Sequence, residues 1–91
     1  MKVIYLRGAL RDLEAIRSYI AQENPDAAGK VVDRIEQAIA RLDVLPLSGR
    51  PSLNGTRLLS VPGYPYVVIH RVSGATVRIV AIFHTARRRR A

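Results

Sequence analysis

Residues 66–83 have the sequence YVVIHRVSGATVRIVAIF, in which two runs rich in β-branched residues flank the dipeptide Ser73-Gly74. Val and Ile are favoured in strands because their branched side chains suit a pleated surface, and Gly supplies the backbone freedom that a tight turn requires. The sequence therefore predicts an antiparallel hairpin with strands at 66–72 and 76–83. Because both runs are apolar almost throughout, we expect one of these strands to be central in a sheet and covered on both faces.

Two amphipathic helices are predicted upstream of this hairpin. The first covers residues 9–23, because apolar residues recur there at steps of three and four. These are Leu10, Leu13, Ile16 and Ile20. The second begins at Asn24-Pro25, a favoured N-cap followed by a favoured first residue, and continues to about residue 45, where Pro46 stops it. Its apolar stripe is Ala28, Val31 or Val32, Ile35, Ile39 and Leu42. So short a connection forces the two helices into a hairpin.

The remaining segments complete the predicted fold. Residues 2–6 and 56–61 are candidate strands, and residues 46–55 are dense in turn residues and predict a loop. The order strand, helix, helix, strand, strand, strand predicts one α+β domain over residues 1–91. In this domain a helical hairpin packs on one face of a small, mainly antiparallel sheet.

Charge is distributed unevenly along the chain. The 91 residues contain 15 Lys and Arg against 7 Asp and Glu, a formal net charge of +8. Every carboxylate lies before residue 44, where seven basic residues balance the seven acids, so the whole excess lies in residues 44–91, including the basic tail 87–91. This half is expected to attract an acidic protein or another polyanion, less strongly in high salt.

Several classes of protein are excluded or disfavoured by composition. Cysteine is absent, which excludes a disulfide framework, a thiolate zinc site and a cysteine nucleophile. No stretch approaches the ~20 apolar residues of a membrane span, and Arg7 and Arg11 interrupt any apolar export signal, so we expect a cytoplasmic protein without membrane contact. No serine lies in a nucleophile-elbow setting, and two histidines on different strands do not make a metal site. We expect neither a metal nor a cofactor.

Parity along the predicted hairpin groups its polar side chains. With a loop of two or four residues, Arg71, Arg78 and His84 share one face of the sheet, whereas a loop of three or five residues separates Arg71 from the other two. Two Arg and a His on an open face have the chemistry to bind a phosphate, and Arg57 on the preceding strand is a further candidate. The alternative is a solvated face whose charges discourage edge-to-edge pairing. The opposite, more apolar face carries Tyr66, Val68, His70, Val72, Ile79, Ala81 and Phe83.

Four segments resemble the ParE/RelE superfamily of toxins from type II toxin–antitoxin pairs. They are ARLDVLP at 40–46, SGRPSLNGTRLLSV at 48–61, PYVVIHRV at 65–72 and VRIVAIFHTARR at 77–88. The resemblance covers nearly the whole chain and implies a helical hairpin against a small, largely antiparallel sheet. It therefore agrees with the fold that periodicity predicts.

The resemblance implies one of two activities. RelE-like members are ribosome-dependent messenger-RNA endonucleases, whereas ParE-like members poison DNA gyrase. In the ribonucleases an arginine follows the aromatic residue that opens the central strand, and in a related group a Tyr follows the His that ends the last strand. Here Val67 follows Tyr66 and Thr85 follows His84. We therefore favour the gyrase-directed branch, a binding-type inhibitor without catalytic residues, and keep the endonuclease as the alternative.

The resemblance also implies a partner, an acidic antitoxin encoded by a neighbouring gene, in a hetero-oligomer that contacts DNA mainly through the antitoxin. For gyrase, we expect the target-binding residues to be Arg57, Arg71, Arg78, His84 and Arg87. For the antitoxin, we expect an apolar groove beside the helical hairpin. The predicted groove residues are Leu13, Ile16, Ile20, Ile39 and Tyr66. Arg57→Ala and Arg87→Ala should weaken toxicity, whereas Ile16→Asp or Ile35→Asp should destroy the fold.

Overall fold

The computed structural model describes residues 1–86, so the tail predicted at 87–91 lies outside the described residues. Helix α1 covers Arg7–Ala21 and helix α2 covers Pro25–Ala40. The Asn24 side chain caps α2 by accepting a hydrogen bond from the Ala27 backbone N–H at 3.0 Å, as its position before Pro25 predicts. A 3₁₀ turn at Arg41–Asp43 follows, so the α-helix ends earlier than the periodicity predicted. Neither helix has the length and apolar content that crossing a bilayer requires.

One five-stranded mixed sheet lies against this helical hairpin. In chain order its strands are β1 Lys2–Tyr5, β2 Arg50–Pro51, β3 Thr56–Ser60, β4 Tyr66–Ser73 and β5 Thr76–His84. The spatial order is β1-β5-β4-β3-β2, with β1 parallel to β5 and every other pair antiparallel. The predicted α+β class and element order are confirmed. The sheet adds β2, a two-residue strand within the segment that was predicted to be a loop.

The core lies between the helices and one face of the sheet. The largest fully buried side chains come from both layers: Val32, Ile35, Ile39, Leu42, Val68, His70, Val77 and Ile79. One predicted core residue is displaced, because Leu10 is 52% exposed and Ala9 is fully buried in its stead. The buried residues of α1 are Ala9, Leu13 and Ile16, at steps of four and three, so the stripe that faces the sheet begins at Ala9 and leaves Leu10 to one side of it.

The β4–β5 hairpin is closed by the two residues between Ser73 and Thr76, and Arg71 lies directly opposite Arg78. Further along, a β-bulge interrupts the register, because His70 pairs with Ile79 whereas Ile69 pairs with Ala81. The extra residue in β5 exchanges the two faces of that strand beyond the bulge.

This bulge corrects the predicted faces of β5. Ile82 is buried in the core, and His84 pairs with Tyr66, which is also a core residue. Ile82 and His84 therefore face the helices. Ala81 and Phe83, which parity assigned to the helix side, face the other way. An uninterrupted alternation could not predict this exchange, because a bulge adds a residue without changing the apolar character of the strand.

Candidate functional site

The face of the sheet that points away from the helices is called the open face here. Its central feature is the cross-strand pair Arg71 and Arg78, which confirms that these two side chains share a face. The Arg71 Nη2 donates a hydrogen bond to the Asn54 carbonyl oxygen at 3.1 Å. Like charges directly opposite on neighbouring strands repel each other, so an anionic group bound between them would be stabilised. The pair therefore has the charge and the donors that binding a phosphate or a carboxylate requires.

Arg57 does not lie on the open face. It pairs with His70 across β3 and β4, so both side chains point to the helix side of the sheet. Its Nη2 donates to the Gly49 carbonyl oxygen at 3.3 Å, and its buried Nε has no hydrogen-bond partner among residues 1–86. The structure thus separates Arg57 from Arg71 and Arg78, and its contacts join β3 to the loop before β2.

His84 is also separated from the two arginines, which corrects the predicted grouping. Its ring meets the Tyr66 ring edge-on, with centroids 5.1 Å apart and an interplanar angle of 88°. The Ala86 backbone N–H donates to Nδ1 at 3.1 Å, so the neutral ring carries its proton on Nε2. His84 borders a small cleft beside α1, on the opposite side of the sheet from Arg71. The remaining predicted residue, Arg87, lies outside the described residues.

His70 is a buried polar residue of the core, on the helix side where the alternation placed it. Because a carbonyl only accepts, Nε2 carries the proton and donates to the Ser48 carbonyl oxygen at 3.0 Å. Burial is the main cause that lowers the pKa of His70, nearby Arg57 lowers it further, and the bond to Ser48 opposes both. The ring is therefore held neutral and ties the loop at Ser48 to the sheet.

The predicted antitoxin groove is not open in this structure. Four of its five residues are buried between the helices and the sheet, and the fifth, Ile20, is partly buried against the same core. The four are Leu13, Ile16, Ile39 and Tyr66. Their periodicity predicted the apolar face of the hairpin correctly, but the sheet covers that face. Whether this region takes part in antitoxin binding stays a prediction.

Open apolar surface lies instead at the end of α2. Val44, Leu45 and Leu47 are 74%, 54% and 62% exposed. Beside them a groove of about 410 Å³ runs between α2 and β3 and is called the α2–β3 groove below. Its wall and floor include Arg34, Gln37, Ala38, Arg41, Leu59 and Ser60. The apolar run around Pro46 is the sequence signal for this surface. In the sequence analysis that run was interpreted as the end of the second helix.

Metal binding finds no support in the described part of the chain. Within residues 1–86, no three histidine or carboxylate side chains lie close enough together to hold an ion.

Comparison with known proteins identifies similar chains. Residues 3–89 match the family model described as the ParE toxin of the parDE type II toxin–antitoxin system. Among curated proteins, the chain is 42% identical over 77 residues to a putative toxin, Y4kP, of Sinorhizobium fredii. The aligned residues make up 84% of this chain and 79% of the relative. It is 40% identical over 87 residues to toxin RelE2 of Caulobacter vibrioides, covering 94% of this chain and 97% of the relative.

Solved structures show the same fold. A chain of the chromosomal ParDE system from P. aeruginosa superposes with a TM-score of 0.82 at 31% identity, covering 92% of this chain and 95% of that chain. A chain of the toxin–antitoxin complex RelBE2 from Mycobacterium tuberculosis gives a TM-score of 0.62 at 26% identity, with 91% and 88% covered. The helical hairpin on a small mixed sheet is therefore shared with both.

Proposed function

The chain belongs to the ParE/RelE family of toxins from type II toxin–antitoxin systems, and from that membership we propose that it stops growth by binding DNA gyrase rather than by cleaving nucleic acid. Within this proposal the open face, with Arg71 and Arg78 at its centre, is the surface that contacts the gyrase–DNA assembly.

The observation that supports a binding-type inhibitor is the separation of cationic and proton-transferring groups. Cleavage of RNA needs a group that removes a proton from the attacking hydroxyl and one that protonates the leaving oxygen. Within residues 1–86, the strands present no histidine, carboxylate or tyrosine on the open face, because their histidines and tyrosines point to the helix side. Arg71 and Arg78 supply positive charge there, and their other cross-strand neighbours, Thr56 and Ile4, are neither acids nor bases.

The comparisons do not separate the two branches, because the family model and one solved structure are of ParE type whereas the relative that is 40% identical is a toxin RelE2. The family model is that of ParE, and the ParDE chain superposes more closely than the RelBE2 chain, with TM-scores of 0.82 and 0.62. Fold similarity alone does not select an activity, so the absence of proton-transferring groups beside the arginines carries more weight than the difference between these scores.

A cognate antitoxin is part of the proposal. Both solved structures are of toxin–antitoxin systems, and the net charge of +8 on this chain favours an acidic partner. We expect the antitoxin from a neighbouring gene to bind the toxin in a hetero-oligomer and to abolish its toxicity.

Two assays on the purified protein test the proposed activity. In the first, gyrase, relaxed plasmid and ATP are incubated with increasing toxin, and the expected result is loss of supercoiling with accumulation of cleaved plasmid. In the second, the toxin is added to a reconstituted translation reaction, where messenger RNA should stay intact. Codon-specific cleavage of messenger RNA together with unaffected gyrase would overturn the proposal and favour the endonuclease.

A further inference from the structure

The α2–β3 groove combines two arginines, Arg34 and Arg41, with an apolar floor that includes Ala38 and Leu59. Arg34 and Arg41 stand seven residues apart on one side of α2 and its 3₁₀ extension, a rise of about 10 Å along the helix axis. Arg34 is held against the wall, since its Nη1 donates to the Pro62 carbonyl oxygen at 3.4 Å and its guanidinium lies 6.0 Å from the Tyr64 ring centre. Among the residues that the structure describes, no carboxylate lines the groove.

The groove also exposes one backbone position of the sheet edge, at Ser60. The Val61 N–H donates to the Tyr66 carbonyl oxygen at 2.9 Å, and hydrogen-bonded positions alternate along an antiparallel pair. Ser60 therefore directs its own N–H and C=O away from β4 and toward the groove.

Residues 1–86 do not cover this position. Continuing the register of β2 would place Ser48 opposite Ser60. The Ser48 N–H instead donates to the Leu45 carbonyl oxygen at 3.1 Å, and its carbonyl oxygen accepts from His70. Gly49, which lies between Ser48 and the start of β2, has a positive φ of 91° and turns the chain away from the edge of β3. The edge at Ser60 is thus left open beside two arginines.

We propose that the α2–β3 groove binds a short, extended, acidic segment of the antitoxin. An extended segment pairs with the N–H and C=O of Ser60, and its carboxylates reach Arg34 and Arg41, because three residues of extended chain span about 10 Å. An apolar side chain of the segment packs on Leu59 and continues onto the exposed Leu45. This inference rests on the proposed function, since it names the surface by which the antitoxin engages the toxin.

The first experiment measures antitoxin affinity for a charge-reversed groove. Toxin and co-expressed neighbouring-gene antitoxin are purified as a complex, separated and recombined, and Kd is measured by calorimetry for wild type and for the double variant Arg34→Glu, Arg41→Glu. We expect Kd to rise about 100-fold or more, because two charge-assisted contacts become repulsive. The matched control is Arg7→Glu, Arg11→Glu, which changes net charge equally on exposed positions of α1. The control should raise Kd less than about threefold.

The second experiment does not depend on a variant. Hydrogen exchange of the wild-type toxin is compared free and in the complex, and the Ser60 amide should become at least tenfold slower to exchange. An unchanged Ser60 amide would overturn the strand-pairing part of the proposal. Equal loss of affinity in the groove and control variants would overturn the groove itself, because general electrostatic attraction would then account for binding.

Gyrase inhibition, measured beside antitoxin affinity, separates a failure of this inference from a failure of the proposed function. The groove variant should inhibit gyrase like the wild type while escaping the antitoxin. If the groove variant loses gyrase inhibition but keeps antitoxin affinity, the groove belongs to the target and the inference is wrong. If the groove variant loses antitoxin affinity but the wild-type toxin does not inhibit gyrase, the proposed activity alone is wrong.

Discussion

The Asp12 carboxylate accepts a hydrogen bond from the Ile82 backbone N–H at 2.9 Å, although the two residues lie 70 positions apart. Ile82 follows the bulge in β5, where the strand leaves the register that it keeps near the turn. The half-buried carboxylate of α1 therefore satisfies a backbone donor next to the irregularity and joins the helix to the strand.

Removing this acceptor should destabilise the fold. We expect Asp12→Ala to lower the free energy of unfolding by about 1–3 kcal/mol, because the Ile82 N–H would be left without its partner in a partly buried position. Asp12→Asn keeps an oxygen acceptor and should lose less. Urea denaturation of the three proteins measures the difference, with Asp33→Ala on the exposed side of α2 as control. A loss in Asp33→Ala as large as in Asp12→Ala would contradict this role for Asp12.

The helices and the central hairpin were predictable because their signals are local. Apolar residues at steps of three and four, the Asn24-Pro25 start and the two β-branched runs each act over a few neighbouring residues. The length of the hairpin loop was left open by the sequence, and the observed two-residue loop selects the alternative in which Arg71 and Arg78 share a face.

The face of His84 was not predictable in the same way. The face of His84 depends on the bulge in β5, and Asp12 of α1 supports that bulge. The alternation of residues within β5 alone therefore cannot predict it. Strand β2 was missed for a related reason: a Gly-Arg-Pro-Ser segment has turn composition, and it becomes a strand only by pairing with Arg57 and Leu58. The grouping of Arg57 and His84 with the open-face arginines was wrong because the β3–β4 register pairs Arg57 with His70 and because the bulge in β5 exchanges the face of His84.

Gly49 should tolerate no side chain. Its φ is 91°, and a Cβ would lie 2.3 Å from the Leu58 carbonyl oxygen, a backbone atom that cannot rotate away. We expect Gly49→Ala to destabilise the protein by about 3 kcal/mol or more in urea denaturation, because left-handed strain and a steric clash add together. Gly63→Ala is the matched control, since its φ is 84° with open space around the added carbon, and it should cost only about 1–2 kcal/mol. Equal losses in the two variants would show that contact with Leu58 is unimportant.

His70 should make stability depend on pH. The pKa of His70 in the folded protein lies below its ordinary value of 6.5. At a pH between the folded and the unfolded pKa, the unfolded chain binds a proton that the folded chain does not. Stability should therefore fall as pH drops from 7 through this window, with a slope of at most about 1.4 kcal/mol per pH unit, and level off below the folded pKa. Urea denaturation between pH 5 and pH 8 measures the slope. His70→Gln, which keeps an N–H donor for Ser48, should remove it, whereas His84→Gln should retain it. An unchanged slope in His70→Gln would assign the dependence to another group.

Arg71 and Arg78 should govern target inhibition without holding the fold together. We expect each Arg→Ala substitution to raise the toxin concentration that half-inhibits gyrase supercoiling by about tenfold, because a charge-assisted contact of about 1.5 kcal/mol is lost. Stability should rise in Arg78→Ala, since the two guanidinium groups repel each other across β4 and β5. In Arg71→Ala the loss of the bond to the Asn54 carbonyl oxygen opposes this gain, so stability should change little. Arg7→Ala and Arg11→Ala remove the same charge from α1 and should leave inhibition within about twofold. Arg57→Ala should instead lower stability, because it loses the bond to the Gly49 carbonyl. Full inhibition by the double variant Arg71→Ala, Arg78→Ala would show that the open face is not the surface that contacts the target.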